Sequence, residues 1–69
     1  MKEMTVVKII ELIGSSEKSW EEAAQNAVNK CCETVKNVKG IDVISQTAKL
    51  ENGKIIEYKT ALKIAFVIK

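Results

Sequence analysis

The sequence contains no histidine and no arginine, and its two cysteines, Cys31 and Cys32, are adjacent. Histidine is the residue most often used for general acid–base catalysis, and no histidine is present to activate a cysteine as a nucleophile. Without histidine or a spaced cysteine pair, the chain also lacks the usual ligands of a zinc site. We therefore expect that the protein is not an enzyme, and we assign no catalytic residue and no dedicated metal ligand.

Concentrated positive charge and long apolar runs are also missing. Eleven lysines face nine acidic residues, for a net charge of +2, and the lysines are spread singly along the chain. A nucleic-acid-binding surface would need them clustered. No run approaches the roughly 20 apolar residues of a membrane span, and residues 1–4 do not resemble a secretory signal. These features predict a cytoplasmic protein with neither a nucleic acid nor a membrane as partner.

The length of the chain bears on its assembly. The 69 residues predict one domain, residues 1–69, and a domain of this size buries only about 60% of its unfolded surface. Such small domains usually need disulfides, a metal or partner subunits. Cys31 and Cys32 would point about 100° apart on a helix, which predicts one core thiol and one near the surface rather than a disulfide. Self-association is the remaining route to stability.

The stretch from Ser19 to Gly40, SWEEAAQNAVNKCCETVKNVKG, predicts one amphipathic helix. Ser19 is placed to cap its N-terminus, and Glu22 to complete a capping box. Gly40 suits the left-handed position just after a helix. Apolar residues recur at helical spacing as one alanine-rich stripe, which predicts close packing on this side: Trp20, Ala23, Ala24, Ala27, Val28, Cys31, Val35 and Val38.

Three stretches have the composition of strands, namely residues 5–13, 41–50 and 54–68. Asn52-Gly53 between the last two predicts a type I′ hairpin turn. The order β-α-β-β predicts an α+β fold in which the long third strand lies in the middle of an antiparallel sheet, with spatial order 1-3-2. The helix should cover the face that bears Leu62, Ile64 and Phe66. The opposite face would still carry apolar residues, which usually mark an interface and here favour a homo-oligomer: Ile55, Ala61, Ala65 and Val67.

Two further features allow more than one interpretation. Trp20 is typical of a core or subunit contact, although an exposed indole could also stack on a ring-shaped ligand. Lys59 and Lys63 share a side of the third strand. Such lysines are usually solvated, but at an oligomer interface they could contact anions or carboxylates.

Three segments carry a resemblance to a known family. The run KIIELIGSSEKSWEEAAQNAV resembles the first strand, loop and helix start of the dodecins. ETVKNVKGIDV continues the similarity, and ENGKIIEYKTALKIAF resembles the closing hairpin of that family. The resemblance spans roughly residues 6–67. It implies a non-enzymatic protein that assembles as a hollow homododecamer and stores or sequesters a flavin, riboflavin or FMN, between its subunits.

The resemblance also implies where a flavin would bind, and this chain departs from the family there. In flavin-binding dodecins a tryptophan after the helix stacks on the flavin, and a glutamine on the last strand forms hydrogen bonds with it. Gly40 and Lys59 occupy these two positions here, which identifies the chain with a subtype that lacks the stacking tryptophan. Because ring stacking contributes about 1–3 kcal/mol, we expect weakened flavin binding. The expected pocket positions are Gly40, Asp42, Gln46 and Lys59.

Some dodecin relatives that are similar around SSEKSWEEAA have been linked to calcium. Calcium takes six to eight oxygen ligands, whereas this chain has scattered glutamates and a single aspartate, Asp42. A calcium site would therefore have to be assembled between subunits. The alternative to a flavin-storing dodecin is thus a flavin-independent shell that binds calcium.

Overall fold

The structure, a computed structural model, describes residues 5–68. It contains strand β1 (Val6–Ser16), helix α1 (Trp20–Cys32), strand β2 (Val38–Glu51) and strand β3 (Lys54–Ile68). β3 pairs antiparallel with both other strands, so the spatial order is β1-β3-β2. The predicted α+β fold with strand order 1-3-2 is confirmed. Residues 1–4, which were expected not to form a secretory signal, lie outside the described residues.

The hairpin between β2 and β3 forms at the predicted turn. Asn52 and Gly53 have φ angles of 54° and 77°, and positive φ at both central residues is the requirement of a type I′ turn. The bounds of β3 match the prediction. β1 and β2 are both longer than expected, because β1 continues through Gly14 to Ser16 and β2 begins at Val38.

The helix is shorter than predicted and ends at Cys32 instead of reaching Gly40. The chain leaves helical geometry through a final turn in which the Val35 N–H donates to the Cys31 carbonyl at 2.9 Å. Asn37, with a φ of 66°, supplies the left-handed residue, whereas Gly40 lies within β2. Val38 belongs to the sheet and not to the helix because it pairs with Phe66. In addition, β-branched residues such as Thr34, Val35 and Val38 favour extended structure.

The start of the helix is capped by two serines. The Ser19 hydroxyl accepts from the Glu22 N–H at 3.0 Å, as predicted. The Glu22 carboxylate does not return to the Ser19 N–H; it accepts from the Ser16 hydroxyl at 2.7 Å. The Ser16 Oγ in turn accepts from the N–H of Lys18 at 2.9 Å. The predicted capping box is therefore only half correct, because the Glu22 carboxylate accepts from the hydroxyl of the buried Ser16 and not from the Ser19 N–H.

The core lies between α1 and the face of the sheet that carries Leu62 and Ile64, both fully buried. Phe66 on the same face is half-buried. Ala27 and Cys31 pack against Leu62 and Ile64. Cys31 is buried and Cys32 exposed, which confirms the prediction of one core thiol and one surface thiol.

The hairpin extends well beyond the rest of the fold. The last pair between β1 and β3 is Ser16 with Tyr58, so residues 49–57 form a two-stranded ribbon without a third strand. The radius of gyration is 14.6 Å, whereas a compact chain of this length would have about 11 Å. A substantial part of the sheet is therefore left uncovered by this chain.

No helix among residues 5–68 is long and apolar enough to cross a membrane.

Candidate binding site on the outer face of the sheet

The face of the sheet opposite α1, called the outer face here, carries alternate residues of all three strands. On β1 these residues include Val7, Ile9 and Ile13, which are 54%, 57% and 70% exposed. Their partners on β3 are Val67, Ala65 and Ala61. This arrangement confirms the predicted second apolar face, and β1 contributes its most exposed side chains.

A half-open groove of about 300 Å³ crosses the outer face. Its lining residues come from β1, β2 and β3: Glu11, Leu12, Ile13, Ile44 and Ala61. Ala61 pairs with Ile13 and with Ser45, and the register of β2 shifts between Val43 and Ser45, at Ile44. The short Ala61 side chain thus lies between two longer isoleucines. This volume is at the lower end of the range for small-molecule sites.

Two polar rows flank this groove, one on each side of Ala61 along β3. In the first row, Lys63 pairs with Glu11 on β1 and with Asp42 on β2. In the second row, Lys59 pairs with Ser15 on β1 and with Thr47 on β2. The first row therefore has two carboxylates and one ammonium, whereas the second has one ammonium and two hydroxyls.

The four residues predicted for a flavin pocket do not converge within one chain. Gly40 and Asp42 pair with Ala65 and Lys63 at one end of the outer face. Lys59 lies four residues from Lys63 on β3, or about 13 Å along the strand. Gln46 pairs with the buried Thr60 and so lies on the helix side of the sheet. Their shared role remains a prediction that requires a second copy of the chain.

Gly40 itself has open space around it. A Cβ atom built on this residue would meet nothing within 4 Å. Within one chain, this position near the start of β2 would therefore accept a Cβ atom without a clash.

Trp20 already has specific partners. Its ring N–H donates to the Thr47 carbonyl at 2.8 Å, and its ring meets Tyr58 edge to face with centroids 4.8 Å apart. Its own carbonyl accepts from the Thr60 hydroxyl at 2.8 Å. The interpretation of Trp20 as a packing residue therefore agrees with its contacts in the described chain.

None of the five residues that line the groove belongs to the predicted flavin pocket, and among them only Ala61 was expected on this face. Glu11 was visible as a charge within an apolar strand, and that signal could have been used. Ile44 reaches the groove at an irregularity in the pairing of β2 with β3, which simple alternation cannot predict. Within residues 5–68 there is no group of three or more acidic, cysteine or histidine side chains that could hold a metal ion.

Comparison with known proteins gives a consistent result. The sequence model of the family described as Dodecin matches residues 6–69. Calcium dodecin of Mycobacterium tuberculosis is 35% identical over 63 residues, which cover 91% of this chain and 89% of that protein. Its crystal structure, described as having a novel calcium-binding site, superposes with a TM-score of 0.81 and covers 93% of this chain and 91% of that one.

A variant of T. thermophilus dodecin gives a TM-score of 0.91 at 26% identity, covering 96% of this chain and 98% of that chain. The agreement therefore extends over nearly the whole length of both molecules, in sequence and in fold. This chain belongs to the dodecin family.

Proposed function

We propose that this protein is a cytoplasmic storage protein, a single domain over residues 1–69, that assembles as a homododecamer and holds a flavin between its subunits. Dodecins are non-enzymatic proteins that bind flavins or calcium, in agreement with the expectation that the chain is not an enzyme. The observation that carries the proposal is the uncovered outer face. A small ring-shaped ligand and neighbouring subunits are the occupants that such a face suits.

The projecting hairpin supports the assembly. Isolated two-stranded ribbons are marginally stable in water, yet residues 49–57 have no third strand. Leu50, Ile55 and Ile56 on this ribbon are 62%, 46% and 38% exposed. Burial of apolar area contributes about 25 cal/mol per Å², so contact with other copies would stabilise the ribbon substantially.

The groove supports a planar ligand with reduced affinity. Ala61, Ile13 and Ile44 offer an apolar surface, and a second copy could close it from above. By the resemblance, Gly40 and Lys59 replace the stacking tryptophan and the hydrogen-bonding glutamine, so the chain is of the subtype without that tryptophan. Trp20 is held by Thr47 and Tyr58, which makes it a poor substitute. We propose a flavin site that is weaker than in members with the ring.

Native mass spectrometry of the purified protein tests the assembly. The expected mass is that of twelve subunits, and any mass above this value is the mass of the retained ligand. A monomer or dimer at micromolar concentration would contradict the assembly. Titration of riboflavin and FMN, followed by the anisotropy of flavin fluorescence, then tests the ligand, since slower tumbling reports binding with or without a stacking ring. No rise in anisotropy at high micromolar protein would exclude flavin and leave the shell.

Calcium is the second candidate, favoured by the 35% identity to a protein named calcium dodecin. Glu11 and Asp42 flank Lys63 on the outer face, and carboxylates from more than one copy would be needed to reach six ligands. The test is the melting temperature with calcium and with a chelator, in wild type and in Asp42→Asn. A rise that Asp42→Asn abolishes supports this function, whereas equal melting temperatures would exclude it.

A further inference from the structure

The turn at the tip of the projecting hairpin brings together two residues that can react with each other. We infer that Asn52 is a site of spontaneous deamidation, in which the backbone nitrogen of Gly53 attacks the side-chain amide. This inference goes beyond the proposed binding function and requires no ligand. It makes the ribbon of residues 49–57 a segment whose covalent structure changes with time.

The reaction needs only these two residues and water. The Gly53 nitrogen loses its proton and forms a bond to Cγ of Asn52. The bond from Cγ to Nδ2 breaks, and Nδ2 takes up a proton and leaves as ammonia. The product is a cyclic imide, a succinimide. Water then opens this ring at either carbonyl, which yields aspartate or isoaspartate without any oxidant or reductant.

The surroundings of Asn52 leave the reacting groups accessible. Asn52 and Gly53 are both exposed. The ladder between β2 and β3 ends at the pair of Glu51 with Lys54, so the two turn residues lie outside it. Gly53 has no side chain to shield its nitrogen, and a Cβ atom built on it would meet nothing within 4 Å. Base and water can therefore reach the attacking nitrogen.

The ribbon provides the motion that ring closure requires. Asn52 and Gly53 have φ angles of 54° and 77°, and the backbone between them must rotate out of the type I′ turn for the nitrogen to reach Cγ. Residues 49–57 have no third strand, and two-stranded ribbons are marginally stable in water. Segments of this kind open locally at low cost in free energy.

The other three asparagines of the chain have surroundings that oppose the same reaction. Asn26 and Asn29 lie within α1, and the side chain of each forms a hydrogen bond. Asn37 is the closest match to Asn52, because it is exposed and has a φ of 66°. It is followed by Val38, however, whose branched side chain crowds the backbone nitrogen and which belongs to β2. The modification is therefore expected at Asn52 alone.

The two products affect the hairpin differently. Aspartate tolerates the left-handed conformation, so it keeps the turn and adds a negative charge beside Glu51. Isoaspartate places an additional methylene group in the backbone, and the connection then loses the geometry of a two-residue turn. Because turn geometry fixes the register of a hairpin, isoaspartate at this position should loosen the ribbon.

The experiment incubates the full-length protein, as purified, in mildly alkaline buffer and samples it over time. Cleavage after lysine releases residues 50–54 and 37–39 as separate peptides, whose masses report on Asn52 and Asn37. We expect the mass change of an amide converted to an acid to accumulate in residues 50–54, faster at higher pH, while residues 37–39 stay unchanged. Protein unfolded in urea shows that the conditions permit the reaction. Residues 50–54 that stay intact in the folded protein while the unfolded chain reacts would overturn the inference, as would equal conversion of both peptides.

Asn52→Asp is the matched control for the effect on the ribbon, since it carries the charge of the product on an unaltered backbone. Wild type and Asn52→Asp are aged together, and amide hydrogen exchange is measured over residues 49–57. Faster exchange in the isoaspartate fraction of wild type than in Asn52→Asp supports the loosening of the ribbon. Equal exchange in the two would contradict it.

Discussion

Two glycines of this chain have opposite surroundings, and they show how much a single residue can be constrained. A Cβ atom on Gly14 would lie 1.9 Å from the carbonyl oxygen of Ala23 and 3.0 Å from the Cβ of Ala27. Gly14 therefore allows β1 and α1 to approach until their backbones touch. Gly40 has nothing within 4 Å of the same atom and carries no such constraint.

Replacing Gly14 with alanine should destabilise the fold, because the Ala23 backbone must move away. Overpacking of this kind costs about 1–3 kcal/mol, measured as a loss in the free energy of unfolding by urea at fixed protein concentration. The matched control is Gly40→Ala, which should change stability by less than about 0.5 kcal/mol. Equal effects of the two substitutions would show that helix and strand separate freely.

Gly40 also allows a test of ligand binding at the level of one residue. Gly40→Trp adds a ring at the position where the family resemblance places the stacking tryptophan, and a Cβ atom there meets nothing within 4 Å. Stacking is worth about 1–3 kcal/mol, so flavin affinity should rise about 5- to 150-fold in a titration followed by fluorescence anisotropy. Gly40→Leu, which adds apolar area without a ring, is the control. A rise of the same size in Gly40→Leu would argue against stacking.

At the scale of elements, Trp20 connects the start of α1 to β2. The helix packs mainly on β1 and β3, so the hydrogen bond from the Trp20 ring N–H to the Thr47 carbonyl is a specific contact between the helix and β2. Tyr58 on β3 supports the ring edge to face. This corner holds the base of the projecting hairpin in place.

Trp20→Phe keeps an aromatic ring and removes the N–H donor. We expect a loss of about 1 kcal/mol in the free energy of unfolding and faster amide hydrogen exchange near Thr47. Trp20→Ala should cost more, since the contact with Tyr58 is lost as well. If Trp20→Phe were as stable as wild type, the hydrogen bond would contribute nothing and packing alone would hold this corner.

At the scale of the whole molecule, the outer face decides between a monomer and an assembly. Ile13 is 70% exposed and lines the groove, but it is not part of the helix-covered core. In a monomer, a lysine at this position would be harmless. In an assembly that covers the face, the lysine would bury an unpaired charge, which is costly.

We therefore expect Ile13→Lys to shift native mass spectra from twelve subunits to smaller species while the circular dichroism of the fold persists. Asn29→Lys adds the same charge on an exposed position of α1 and serves as the control. An intact dodecamer with Ile13→Lys would place the subunit contacts elsewhere. Loss of assembly in both variants would point to net charge instead.

Local sequence determined the elements whose signals are strong within a few residues. The Asn52-Gly53 turn, the bounds of β3, the Ser19 cap and the two environments of Cys31 and Cys32 were all readable, because they depend on backbone preferences and short-range periodicity. The covering of Leu62 and Ile64 by the helix followed from the alternation along one strand.

Tertiary structure decided what depends on partners distant in the chain. The helix ends at Cys32 because Val38 pairs with Phe66 in the sheet, although the apolar spacing of Val35 and Val38 also fits a helix. Ser16 replaces part of the capping box because the extension of β1 brings it beside Glu22. The register alone sets Lys59 between hydroxyls and Lys63 between carboxylates, since a shift of one residue would move every side chain to the other face.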